Sequence, residues 1–343
     1  MRIKTRKSEI INRQRYFEYK VSQVTPLKEY ISFKLAKKLG LLVSDVNLVE
    51  VYVNRKSKGI YLEKSRLNES FLRRNKIMPV NMYKGEQSNN SENKIGLEND
   101  LYKNTGLWEK ISIFNLYEDE DKRDLSFLIN NIKKAENSPE HLNKILDNGN
   151  NELFAKKSVL EIFTQNSIGA NSHNQRMVID NWSGKIYNIP HDTYYIDDLI
   201  LNENLNYEFV HNDLEKVIGQ SSYYLDLKYK TLFDYLVKKE IIQEIIKDLE
   251  KIKKKYLISE KRDIGIIQRK YFGGISSNYK GEKYYNNIIK SLKKREDEII
   301  KFFYKEPKAS WENENDGFNV KVDQKLPLSN LIVNFKDTNP KWI

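Results

Sequence analysis

The segment Ser167–Asp192 restricts the fold of this chain more than any other. A polar run ends in His173 and Asn174, two short apolar-rich stretches follow at Gln175–Asp180 and Ile186–Ile189, and Gly184 stands between them as a turn residue. Short runs around a glycine-bearing turn read as a β-hairpin. With Asn174 entering the first strand and Asp192 leaving the second, both side chains belong to one open end. Alternation along the strand sets Met177 and Ile179 on one side and Arg176 and Val178 on the other, so Met177 is the candidate apolar floor for a flat ring. An amide and a carboxylate converging in this way offer hard oxygen ligands to a phosphate-bound divalent cation, which points to a nucleotide pocket and phosphoryl transfer. The same pattern also describes an ordinary surface hairpin whose Asn and Asp terminate strands, and spacing alone does not choose between the two.

Composition sets the outer bounds. A chain of 343 residues with 39% hydrophobic and 12% aromatic content is long enough to bury a two-lobed globular core. No apolar run reaches the roughly 18 residues that crossing a bilayer requires, and the basic start Met1–Arg6 is not followed by an apolar signal core. There is no cysteine, which excludes disulfides and thiolate zinc sites, and four histidines are too scattered for an imidazole cluster. The net charge of +11 would attract nucleic acid, acidic substrates or anionic surfaces. The lysines are spread along the chain, however, and Lys251–Lys255 accompanies Ile242, Ile245, Ile246, Leu249 and Ile252 at helical spacing, which is the pattern of a solvated helix face. Tyrosine pairs such as Tyr194-Tyr195 occur without any nucleic-acid-binding signature, leaving nucleic acid as a minor alternative.

Along the chain, residues 1–21 read as β structure with Tyr16–Lys20 the clearest strand. Thr25 and Pro26 open a helix with Leu27, Ile31, Leu35 and Leu39 on one stripe and Gly40 as its stop. Strands at Asn47–Val53 and Gly59–Glu63 and a short helix at Asn68–Arg74 complete a small mixed α+β unit over residues 1–100, in which residues 85–100 form a polar loop. Helices are expected at Asp124–Asn137, Pro139–Leu146, Glu152–Thr164, Lys230–Tyr256 and Tyr284–Tyr304, giving a larger, mostly helical unit over 101–306. Asp197–Tyr224 reads as a polar segment with little periodicity. Residues 307–343 read as a linker and the start of a β module, with strands at Phe318–Val322 and Leu331–Phe335.

Several of these features, in order, resemble the CotH kinase family, the spore coat protein H-like atypical kinases. Asn166–Asp192 is similar to the family's metal-binding segment, in which a carboxylate precedes His-Asn, a hairpin and Pro-Trp-Asp. Leu35–Val43, Val51–Asn54 and Gly59–Glu63 are similar to its helix and two following strands, Phe71, Leu72 and Met82–Lys84 continue in register, and Ser291–Ile300 resembles its closing helix with a central arginine. The resemblance implies an α+β, atypical two-lobed protein-kinase-like fold that binds ATP with Mg²⁺ or Mn²⁺. It implies phosphorylation of serine in a bacterial spore coat or cell-surface protein. It makes Asp192 and Asn174 the metal ligands and catalytic residues, with His173 shaping that loop, and it sets Glu63 near the nucleotide or a phosphate-contacting cation and Lys84, beside the Met177 floor, at the nucleotide.

Two departures bear on activity. The family carries an aspartate four or five residues before the Asn, where this chain has Ala170 and Gly169, neither able to act as a base. Met1–Lys4 also aligns with the middle of the family's first lobe, so the chain reads as N-terminally shortened by the glycine-bearing strands that cover phosphates. A serine kinase, a nucleotide-binding pseudokinase or coat scaffold, and a surface adhesion protein without nucleotide are the three functional expectations.

Overall fold

The chain is described by a computed structural model over residues 2–6, 8–11, 15–20, 26–85, 101–112, 118, 120–166, 174–196, 205–261, 281–304, 308–314 and 317–323. It divides into two compact units, Met1–Tyr304 and Lys305–Ile343. The first opens with strands β1 (Arg2–Lys4) and β2 (Tyr16–Lys20) and helix α1 (Pro26–Lys38). Leu27, Ile31, Leu35 and Leu39 are fully buried, as their stripe requires, but Lys28, Glu29 and Ser32 are buried as well, so α1 is enclosed on several sides. Its end is a Schellman motif: Gly40 takes φ +75° and Leu41 N–H donates to the Ala36 carbonyl at 3.0 Å.

Strands β3 (Val46–Val53) and β4 (Lys56–Ser65) form a hairpin over Asn54 and Arg55, both at positive φ, the conformation a two-residue type I′ turn demands. The first sheet is antiparallel, in the order β1-β2-β4-β3. Helix α2 (Glu69–Arg74), capped by the Asn68 side chain accepting from Phe71 N–H, leads to β5 (Asn81–Gly85).

A second antiparallel sheet has the order β6-β5-β7-β8, from β6 (Trp108–Lys110), β7 (Arg176–Asp180) and β8 (Lys185–Asn188). Strand β5 precedes residue 100 and pairs with β7, so this sheet is built from both of the segments distinguished in the sequence. Between β6 and β7 lie α3 (Arg123–Ala135), α4 (Pro139–Leu146) and α5 (Asn150–Thr164). One face of the sheet, with Tyr83, Met177, Ile179 and Ile186, packs on these helices through Leu125, Leu128, Ile129 and Phe154. The other, with Met82 and Val178, packs on Leu42, Phe71, Leu72 and Val80. Burial on both sides makes this sheet the wall on which the site is mounted.

Beyond β8 the structure departs from the sequence reading in two places. The described part of Asp197–Tyr224 is not unstructured: it holds α6 (Asp213–Ile218) and the start of α7 (Ser222–Leu232). The single helix expected over Lys230–Tyr256 is two, because a π-helical turn (Phe233–Lys238) and Glu240 at φ +49° separate α7 from α8 (Ile241–Lys261). Apolar spacing runs on across that break and hides it. Helix α9 (Gly281–Tyr304) closes the unit. The second unit contains a hairpin of β9 (Lys308–Glu314) and β10 (Gly317–Asp323), registered from Gly317 opposite Glu314 to Asp323 opposite Lys308. Strand β9 was hidden by its polar composition, and Leu331–Phe335 lies outside the described residues, as does the loop at 86–100. No described helix is long and apolar enough to cross a membrane.

Candidate active site

Hairpin β7–β8 sets the geometry. Met177 is opposite Asn188, Ile189 N–H donates to the Arg176 carbonyl at 2.8 Å, and the register carries Asn174 and the residues after Pro190 to the same end. Asn174 is buried there, and Asp192 follows at φ +49°, a left-handed backbone conformation that costs a non-glycine residue on the order of 1 kcal/mol but that Asp tolerates better than most. His173, Ala170 and Gly169 lie outside the described residues.

The partner of Asp192 comes from the other sheet. Lys20, the last residue of β2, donates to Asp192 Oδ1 at 2.5 Å and lies 3.3 Å from Glu29 Oε1 in the first turn of α1. Burial works against the Lys20 charge, but the two carboxylates outweigh it and its pKa is raised. Burial would also lift the Asp192 carboxyl, which instead sits at about 2. His191 is depressed to about 2 by burial first and then by the Lys64 and Arg176 cations. Against burial, His191 and then Lys20, with Lys64 behind them, hold the Asp192 carboxyl down, and Lys20 is the one of the three that donates a hydrogen bond to it.

Lys64 on β4 adds a second buried ammonium, 4.5 Å above the Phe33 ring, with its pKa lowered by burial against a partial offset from Glu29. The site therefore interleaves two lysines with two carboxylates beside a neutral histidine.

A second set of contacts steadies the segment that bears Asp192. Tyr195 N–H donates to the Lys28 carbonyl on α1, Ile196 N–H to Thr164 at the end of α5, and the Asn166 amide to the Tyr194 carbonyl. Arg295 of α9 is fully buried, donates to the Phe163 carbonyl at 2.8 Å and lies 4.6 Å from the Tyr195 ring centroid, while the Tyr195 hydroxyl pairs with Ser291. The arginine central to the closing helix is thus a brace between α5, α9 and the Asp192 segment.

The remaining sequence candidates fall elsewhere. Glu63 is on the opposite face of the first sheet from Lys20: it is opposite Tyr19, accepts the Asn47 amide at 3.1 Å, and, after burial, is what pushes the Tyr19 hydroxyl up to about 12. Strand alternation turns neighbouring residues to opposite faces, which removes Glu63 from the site. Lys84 is opposite Glu109 and ion-paired to it at 3.1 Å across β5–β6. Met177 is completely buried in the helical core and offers no floor to a ring; the face with Arg176 and Val178 is the one turned away from that core. The sequence reading missed Lys20, Glu29, Lys64 and Arg176. A lysine ending a strand and a glutamate in the next helix's first turn was the available signal, diluted among 59 basic and 48 acidic residues.

Among the described residues no group of three or more His, Cys, Asp or Glu could hold a metal. Asp192 and the Asn174 amide are chemically of the kind Mg²⁺ takes, one or two protein oxygens with phosphates and water completing the shell, and Asp192 Oδ1 is here paired with the Lys20 ammonium.

The chain is thus a mixed α+β protein with a lysine–glutamate–aspartate ion cluster beside a β-hairpin. The family model described as "CotH kinase protein" matches residues 13–311, and the chain belongs to that family. The family implies a kinase using ATP and a divalent metal on a protein substrate. No curated protein matches. Among solved structures, the chain is similar to HipA of the Shewanella oneidensis MR-1 HipA–HipB–operator DNA complex at 13% identity and a TM-score of 0.30, covering 83% of this chain and 57% of that one, a likeness too slight to argue from.

Proposed function

We propose that the protein is an ATP-dependent serine kinase acting on a bacterial spore coat or surface protein. The Lys20–Glu29–Asp192 cluster carries this reading. Phosphoryl transfer demands positioning and charge stabilisation more than covalent chemistry from the protein, and a strand lysine held by a helix glutamate is the phosphate-orienting device of protein kinases. Glu29, buried, fixes Lys20, which would meet the nucleotide's phosphate oxygens; Asp192, ionised throughout the physiological range, and Asn174 would hold Mg²⁺ or Mn²⁺. When bound, that ion offsets the charge on the phosphate oxygens.

The substrate serine oxygen bonds to the γ-phosphorus as the bond to the bridging oxygen of departing ADP breaks, and the hydroxyl proton leaves to solvent or phosphate. Ala170 and Gly169 give no base for that proton, a loss worth about 10²- to 10⁴-fold. The same two residues favour a second reading, a nucleotide-binding pseudokinase or coat scaffold.

Thermal denaturation with ATP and Mg²⁺, paired with radiolabel transfer to a serine-rich protein, tests both. A kinase shows a raised Tm and transfer, each lost in Asp192→Ala, and a faster transfer in Ala170→Asp; the pseudokinase shows the raised Tm alone. An unchanged Tm refutes both.

A further inference from the structure

The other end of β2 carries a feature that a neutral nucleotide base does not call for. An open cavity of about 710 Å³ lies between β1, β2 and the segment from Arg66 to Arg73, and Ile111 also lines it. Five cations, Arg2, Lys4, Arg15, Arg66 and Arg73, line it against one carboxylate, Glu69. Arg2 reaches Glu18 only at 3.8 Å, outside the cavity lining, and Lys4 rests 5.3 Å from the Tyr16 ring centroid. Arg15 donates through Nη2 to the Thr5 carbonyl at 3.0 Å, while its buried Nε has no partner among the described residues. Arg66 and Arg73 have no ion-pair partner among the described residues. Like charges gathered around one hollow repel one another, and an anion seated among them offsets that repulsion; guanidinium forks match phosphate oxygens in particular. Tyr16 and Lys20 are roughly 13 Å apart at the rise of an extended strand, so the cavity is separate from the Lys20–Asp192 cluster.

We infer that this cavity is a phosphate-binding subsite, distinct from the Lys20–Asp192 end, whose ligand presents a phosphate group to Arg66 and Arg73. The inference goes beyond the kinase reading by adding a second anion site to the same unit, and its test does not depend on that reading. The probe is inorganic tripolyphosphate without metal, followed by calorimetry on the whole chain.

Saturable binding is expected, weakening steeply with salt, at least tenfold weaker in the Arg66→Gln/Arg73→Gln double variant and unchanged in Lys144→Gln, which removes an exposed cation remote from the cavity. Both arginines are exposed, and circular dichroism of the double variant reports that it is folded. Simultaneous binding of tripolyphosphate and ATP with Mg²⁺ is expected of a separate subsite; displacement of tripolyphosphate by ATP with Mg²⁺ would make the two one site and overturn it. Absence of saturable binding, or equal binding by the double variant, overturns the subsite. Loss of the kinase reading registers separately, as binding of ATP with Mg²⁺ that Lys20→Met does not weaken.

Discussion

Replacing Lys20 by Met keeps the length of the side chain and removes the ammonium that two carboxylates share. Removing one partner of a buried ion pair costs about 3–5 kcal/mol, because a charge is left uncompensated. Here the side chain of Lys20 is 23% exposed and that of Asp192 34%, while Glu29 is 4% exposed, so water relieves Asp192 far more than Glu29. The Asp192 share follows from its pKa. A fall from 3.8 to about 2 corresponds to about 2 kcal/mol shared among His191, Lys20 and Lys64, and solvent screening of a carboxylate one-third exposed leaves about 1 kcal/mol or less to Lys20. Adding the stranded Glu29, the expected loss at pH 7 is about 2–3 kcal/mol.

The sign of the pH dependence is fixed by the same numbers. The folded Asp192 has the lower pKa, so the unfolded chain takes up the proton first as pH falls. The Asp192 contribution is complete above pH 3.8 and is gone near pH 2. Urea unfolding of both proteins between pH 7 and pH 2.5, read as the difference in midpoint at a common slope, measures it, since His191 is present in both and its titration largely cancels. A difference below about 0.5 kcal/mol at pH 7, or one that grows as the pH falls from 4 to 2.5, would refute the ion-cluster argument.

Three further outcomes follow from the same geometry. Asp192→Asn keeps a residue tolerant of φ +49° and is expected to fold with little change in Tm while losing the Mg²⁺-dependent part of ATP stabilisation; full retention of that part in thermal scans removes Asp192 from the metal site. Arg295→Met should cost about 2–4 kcal/mol in chemical denaturation by orphaning the Phe163 carbonyl and the Tyr195 ring, and should raise KM for ATP more than Leu292→Ala, a core change of comparable cost on the same helix; equal KM effects would reduce Arg295 to a packing residue. Met177→Ala opens a core cavity and is expected to destabilise by about 2–5 kcal/mol without altering nucleotide affinity measured well below the melting range, whereas a selective loss of affinity would restore Met177 to the pocket.

Local chemistry alone determined a good deal of this protein. The α1 stripe and its Gly40 stop, the two-residue turn at Asn54 and Arg55, the Asn68 cap and the β7–β8 hairpin each rest on neighbours in the chain, and so did the setting of Asn174 and Asp192 at one open end. The ordered motifs along the chain also carried the family. Tertiary structure decided which charges meet. Lys20 and Asp192 are 172 residues apart and belong to different elements, and no local rule selects that lysine among so many.

It also decided which way the strands face. Period-two alternation divides Met177 from Arg176, and Glu63 from Lys64, but it does not say which set is turned to the site. Both faces of the second sheet are buried, so hydrophobicity leaves the choice open. Only the pairing of β5 with β7, and the packing of helices on one side of that sheet, assigned Met177 to the helical core and Val178 to the smaller core with Phe71 and Leu72.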